Sequence, residues 1–131
     1  MNPRVLTGLA LAGAVGSFVA CGGSGSSSTP TQPTNPVSTT TITITASGTN
    51  PKNIQVPVGS QVTFVNSDSR VHEMTSDPHP EHTDCTELNQ VGLLSPGQQR
   101  QSGNLVRLRN CGYHDHSNPG TASLTGTITI Q

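Results

Sequence analysis

The sequence predicts an all-β domain. Three observations carry that prediction: short apolar segments alternate with hydroxyl or polar residues at a period of two, Gly and Pro turns fall between them, and no stretch carries a convincing amphipathic helix. Residues 41–45 (Thr-Ile-Thr-Ile-Thr) alternate cleanly, as a half-buried strand should. Ile54, Val56 and Val58 repeat the period, Gly59-Ser60 makes a turn, and residues 61–66 follow as a third strand. Residues 104–109 and 126–130 are two more. The nearest approach to a helix, residues 83–94, is short and poorly capped. Short strands at this spacing predict an antiparallel sandwich or barrel.

The domain does not begin at Met1. A singly charged start (residues 1–4), an apolar run (5–15) and small residues leading into Cys21 have the three-part layout of a signal peptide. The run is too short to span a bilayer as a permanent helix. A cysteine directly after small residues resembles a bacterial lipobox, whose thiol is lipidated and becomes the new first residue, although Phe18 stands where a leucine is usual. The competing reading is a cleaved secretory peptide with an incidental cysteine. Residues 22–36 are almost wholly Gly, Ser, Thr and Pro, which cannot bury enough apolar surface to order themselves and so make a spacer. The expected organisation is a lipoprotein signal peptide at 1–20, the lipidated Cys21 and tether at 21–38, and the folded domain at 39–131. The expected location is the cell envelope, with the domain anchored to a membrane and exposed to the periplasm or the cell exterior.

With 131 residues, no Trp, two Phe and one Tyr, the core must be small and aliphatic. Domains of this size are marginally stable, and exported ones commonly add a disulfide or a metal. A net charge of −1 without a basic stripe argues against nucleic acid as a partner. The Gly-x-Ser-x-Gly elbow of serine hydrolases is absent, as is a phosphate-cradling loop beside a strand, so no enzyme is expected.

The most unusual stretch is polar and about 30 residues long, from Asn66 to Pro96, too long for a plain connection. Six of the seven acidic residues lie in it (Asp68, Glu73, Asp77, Glu81, Asp84, Glu87), with His72, His79 and His82; the other two histidines, His114 and His116, precede the final strand.

These pieces, in this order, resemble the cupredoxins, the plastocyanin-like blue-copper proteins, over most of residues 39–131. Residues 58–66 are similar to the family's "pxGxxVxfxN" opening, His72 stands where the family places its first histidine ligand, Ser95-Pro96-Gly97 resembles its "pG" turn, and residues 125–130 resemble its closing strand. The resemblance implies an antiparallel Greek-key β-sandwich, copper as the cofactor, and electron transfer with a redox partner protein. The ligand loop departs from the family pattern. Cys111-Gly112-Tyr113-His114 has the Cys-x-x-His spacing, but no Met follows, and Leu124 stands where the axial Met is expected. If Tyr113 is the aromatic that the family places two residues before its copper cysteine, that position falls at Asp115.

Two readings of the cysteines stay open. With Cys21 lipidated, Cys85 and Cys111 remain as an even pair, and a disulfide would close a loop of about 26 residues and contribute roughly 3 kcal/mol. Alternatively Cys111 is a copper thiolate and Cys85 is free. For the histidines, i and i+2 of a strand share a face, so His114 and His116 can converge on one point with His72 to hold Cu(II) or Zn(II). Met74, with the parity of His72, offers a thioether. His79 and His82 offer a looser site in the acidic loop, although Pro78 and Pro80 make that segment extended and suit it to display. The alternative to copper handling or electron transfer is a metal-free sandwich, stapled by Cys85–Cys111, that serves as a structural or binding module with purely structural histidines.

Overall fold

The computed structural model describes residues 35–131. The expected signal peptide, Cys21 and most of the expected tether lie outside the described residues. The described chain forms ten strands: β1 (Val37–Ser38), β2 (Thr41–Thr45), β3 (Gly48–Asn50), β4 (Asn53–Val56), β5 (Thr63–Asn66), β6 (His72–Ser76), β7 (Gly92–Leu94), β8 (Gln99–Gln101), β9 (Arg109–Asp115) and β10 (Gly126–Ile130). Two 3₁₀ turns, Thr86–Gln90 and Ala122–Leu124, complete it. Among the described residues no helix is long and apolar enough to cross a membrane.

The strands form a six-stranded sheet in the order β1-β4-β10-β9-β6-β7 and a four-stranded sheet in the order β3-β2-β5-β8. Both sheets are mixed, a correction to the antiparallel expectation. The pairs β1·β4, β4·β10 and β2·β5 are parallel, the rest antiparallel. Parallel neighbours need long connections, and here the chain between β2 and β5, or β4 and β10, visits other strands before returning. The first strand, Val37–Ser38, lies in the segment assigned to the tether and pairs with Ile54 and Gln55.

Period-two alternation sets the core. Ile42 and Ile44 of β2, Phe64 of β5, Ile54 and Val56 of β4, Met74 of β6 and Ile128 of β10 all point between the sheets and are buried. Phe64 meets Tyr113 of β9 edge to face, with centroids 5.3 Å apart and planes at 81°. The Tyr113 hydroxyl donates to the Lys52 carbonyl at 2.8 Å and lies 3.2 Å from the Thr49 hydroxyl. Gly126 makes that approach possible, because a Cβ there would collide with the Lys52 carbonyl and the Tyr113 ring.

Residues 41–45, 61–66 and 126–130 form strands as expected, and the 54–58 segment supplies β4. The expected strand at 104–109 does not form. Leu105 makes an isolated bridge to Ser60, while Val106 and Leu108 stay 57% and 73% exposed, so the alternation there has no second sheet to bury it. The long polar stretch is not a plain loop. It supplies β6, a 3₁₀ turn and β7.

Candidate metal centre

The site is built from the two faces of β9. Its register with β6 sets Met74 opposite Asp115, Thr75 opposite His114 and Ser76 opposite Tyr113. Directly opposed residues share a face. Tyr113 packs against Phe64 of the other sheet, so Tyr113, Asp115, Met74 and His72 face inward. Thr75, His114 and, just beyond the strand, His116 belong to the outer face. The parity that joins His114 to His116 therefore separates both from His72.

The outer face is covered by the segment between β6 and the first 3₁₀ turn, and this brings in the other two histidines. His79, His82, His114 and His116 place one potential ligand atom each within 4.8 Å of one another. The rings pack closely: centroid distances are 4.9 Å for His82–His116, 5.0 Å for His79–His116, 5.2 Å for His82–His114 and 5.4 Å for His79–His114. His116 Nδ1 and His82 Nε2 lie 3.2 Å apart, and His114 Nδ1 is 2.6 Å from Asp77 Oδ1. His114 is buried, His82 and His116 are half-buried, and His79 is exposed, so the cluster opens to solvent on one side.

The covering segment is tied down from several directions. The Asp77 amide donates to the Gly112 carbonyl at 3.0 Å, and the Asp84 amide to the Asp77 carbonyl at 2.8 Å. The Asn89 side chain accepts from the Ser76 amide and donates to the His82 carbonyl. His82 has φ 54°, a left-handed conformation that side chains seldom adopt, and its amide donates to the Pro78 carbonyl at 2.7 Å. Such backbone persists where its surroundings over-determine it, commonly at functional sites. Burial, followed by the neighbouring rings of His114, His116 and His79, holds the His82 imidazolium below its ordinary pKa. His82 thus favours the neutral ring that binds metals.

Cys85 and Cys111 form a disulfide, which settles the choice between a staple and a copper thiolate in favour of the staple. Its half-cystines are fully buried and sit three residues beyond His82 and three before His114. The bond therefore fastens the segment carrying one histidine pair to the strand carrying the other. Cys111 is no ligand. Met74, 1% exposed in the inner core, faces away from the cluster and is no ligand of it either. Leu124, where an axial Met was expected, is a buried core residue of the second 3₁₀ turn.

His72 does not join the cluster. Its Nδ1 lies 2.9 Å from Asp115 Oδ2 and its Nε2 3.0 Å from Asp68 Oδ2, with all three side chains at most 2% exposed. An ion would have to displace a carboxylate to reach either nitrogen. Position 115, to which the Tyr113 alignment assigns the copper cysteine, holds a carboxylate fixed by His72, by the Glu73 and Ser117 amides at 3.1 Å and by the Asn118 side chain at 3.0 Å. The structure therefore does not bring the sequence-based triad of His72, His114 and His116 together: His114 and His116 cluster with His79 and His82 instead, and His72 lies apart. His79-x-x-His82 was visible as spacing; the reversal that folds it over β9 was not.

The inner network predicts acid sensitivity. The hydrogen bond from Arg70 holds the Asp68 carboxyl well below its ordinary value of 3.8, helped by His72 and the Ser69 amide against the opposing effect of burial. Burial pushes Asp115 up, but hydrogen bonds from His72, Asn118 and the Glu73 and Ser117 amides outweigh it and leave that carboxyl low as well. Folded-state pKa values below the unfolded ones add stability that is complete above about pH 4 and lost as pH falls through the lowered values. Denaturation midpoints should therefore drop steadily below about pH 4, and Asp68→Asn and Asp115→Asn should flatten that slope. Identical acid slopes for the variants and the unmodified protein would contradict it.

No protein-family model matches the sequence, and a search among curated proteins found no match. Solved structures match in fold. A purple cupredoxin from Nitrosopumilus maritimus superposes with a TM-score of 0.56 at 20% identity, over 71% of this chain and 100% of that one. The oxidised plastocyanin of Dryopteris crassirhizoma gives 0.54 at 19% identity, over 70% and 99%. A copper-containing nitrite reductase from Thermus scotoductus gives 0.52 at 20% identity, over 74% of this chain but 23% of that one. Two mixed sheets in this order, with neighbours of this kind, show that the described residues of this chain have a cupredoxin-like β-sandwich fold.

Proposed function

We propose that this chain is an envelope-anchored, cupredoxin-like lipoprotein that binds copper through His79, His82, His114 and His116, and that it serves copper handling or electron transfer rather than catalysis. The observation that carries the reading is the convergence of four imidazoles within 4.8 Å at a partly open surface. Imidazole suits Cu(II) and Zn(II), and among divalent first-row ions affinity peaks at copper. Among the described residues neither thiolate nor thioether reaches the cluster, since Cys85 and Cys111 form a disulfide and Met74 faces inward. The donor set therefore favours a divalent ion over Cu(I). Bound copper would supply a one-electron couple at the protein surface. Copper in the name of one fold neighbour, the nitrite reductase, adds support. The anchor rests on the leader ending at Cys21 and would hold the domain against a membrane, facing the periplasm or the exterior, within reach of a redox partner protein.

Titrating the full chain with Cu(II) tests this. The expected result is one ion per chain, with weak visible absorption and no intense blue band. The double variant His79→Ala/His82→Ala should weaken binding by more than about 100-fold, the upper end of what a lost outer-shell partner costs. Incorporation of a labelled fatty acid, abolished by Cys21→Ala, tests the anchor. A folded protein that takes up neither Cu(II) nor Zn(II) would leave the metal-free, disulfide-stapled module as the function.

A further inference from the structure

We infer that Asp77 is the outer carboxylate of this centre, a positioning residue that fixes which nitrogen of His114 faces the ion. This rests on the proposed metal site and adds a residue to it. Asp77 Oδ1 lies 2.6 Å from His114 Nδ1. A carboxylate only accepts, so Nδ1 carries a proton, and in the neutral ring the Nε2 lone pair is then left open. The surroundings of Nε2 agree. Its neighbour at 3.3 Å is the Thr75 hydroxyl, which can donate to a lone pair and yield to an ion. Histidines that bind metals generally hand their second ring nitrogen to a carboxylate or carbonyl in this way, which fixes the tautomer and raises the basicity of the ligating nitrogen.

Asp77 is held for that task. Its amide donates to the Gly112 carbonyl, and its carbonyl accepts from the Ser76 hydroxyl and the Asp84 amide. Its carboxylate lies over Gly112 of β9, where any Cβ would collide with it. Gly112 is thus the cradle that lets a carboxylate from the covering segment reach the ring beside it. Asp77 also precedes the stretch that carries His79 and His82, so one side chain both orients a ligand from β9 and anchors the segment that supplies the opposing pair. Glu81 and Asp84, on the same segment and exposed, carry equal charge but no hydrogen bond from a ring of the cluster among the described contacts.

Nitrogen-detected NMR of the histidine rings, together with Zn(II) titration of the full chain, tests the assignment. In the metal-free protein His114 should be the Nδ1–H tautomer, and on Zn(II) loading its Nε2 should shift while Nδ1 keeps its proton. Asp77→Ala should release the ring to a mixture of tautomers. Asp77→Ala and Asp77→Asn should weaken Zn(II) binding about 10–100-fold at unchanged stoichiometry. Glu81→Gln, which removes the same charge nearby, should change it far less. Loss of the Nδ1 proton on loading, an Nε2–H tautomer in the metal-free protein, or Asp77→Ala binding as tightly as the unmodified chain would overturn the role of Asp77 while leaving the four-histidine site standing. An unmodified chain that binds no Zn(II) or Cu(II) would instead overturn the metal reading, and this role with it.

Discussion

A His72→Ala variant should lose about 3–5 kcal/mol of folding stability, because removing the ring takes a hydrogen-bonding partner from two buried carboxylates and leaves their charge uncompensated. The same variant should still bind one ion at the outer cluster. The imidazole is 1% exposed, and Asp115 on its Nδ1 side is 0% exposed. Without the ring, Asp115 keeps its two amide donors and Asn118 but loses its closest side-chain partner. Denaturant midpoints measure the loss and metal titration measures the independence. A variant that keeps its stability and loses its metal would return His72 to the ligand set. A variant that loses both with an intact fold would link the two faces of the sheet in a way the register does not provide.

Converting both half-cystines to serine in Cys85→Ser/Cys111→Ser should cost about 3 kcal/mol, the loop-closure entropy of a 26-residue separation. For a domain of this size that lowers the melting temperature by about 12–24 °C. The effect should reach the metal too. With the bond gone, the segment carrying His79 and His82 is held over β9 by hydrogen bonds and the Glu87–Arg109 ion pair at 2.7 Å. Ordering it around an ion then costs conformational entropy that the covalent link removes in the native protein. Weaker Zn(II) binding at unchanged stoichiometry is expected. Melting within a few degrees of the unmodified protein, or unchanged affinity, would show that the hydrogen bonds alone suffice.

Much of the sandwich was legible because alternation is a local signal. Residues 41–45 and 126–130 declare a buried and an exposed side in the sequence itself, and the structure uses both as written. The failures are non-local. The segment at 104–109 has the right period, but burial depends on what lies opposite, and nothing in the sequence says that Val106 and Leu108 face solvent. The parallel pairs were invisible for the same reason, since strand direction is set by partners far along the chain. At the site, the shared side of His114 and His116 followed from parity alone. Excluding His72 required the register of β6 against β9, where a shift of one residue would have reversed the answer. Counting cysteines left the disulfide as one of two readings, and the structure holds it. That it brings His82 and His114 together did not follow from the count, because the path of residues 77–85 over the sheet is fixed by contacts with Gly112 and Asn89 that no motif announces.

The strand β9 works as a two-sided ribbon, with Cys111, Tyr113 and Asp115 on one side and Gly112, His114 and His116 on the other. Substitutions on the solvent side can retune or abolish ion capture while the interior stays sound, and interior changes that spare the disulfide can be absorbed without redrawing the pocket. Inserting or deleting one amino acid between positions 111 and 116 allows neither, because it exchanges the two sides together. Point substitutions can therefore vary the chemistry of the cluster, whereas a change of length across these six positions disrupts cluster and interior at once.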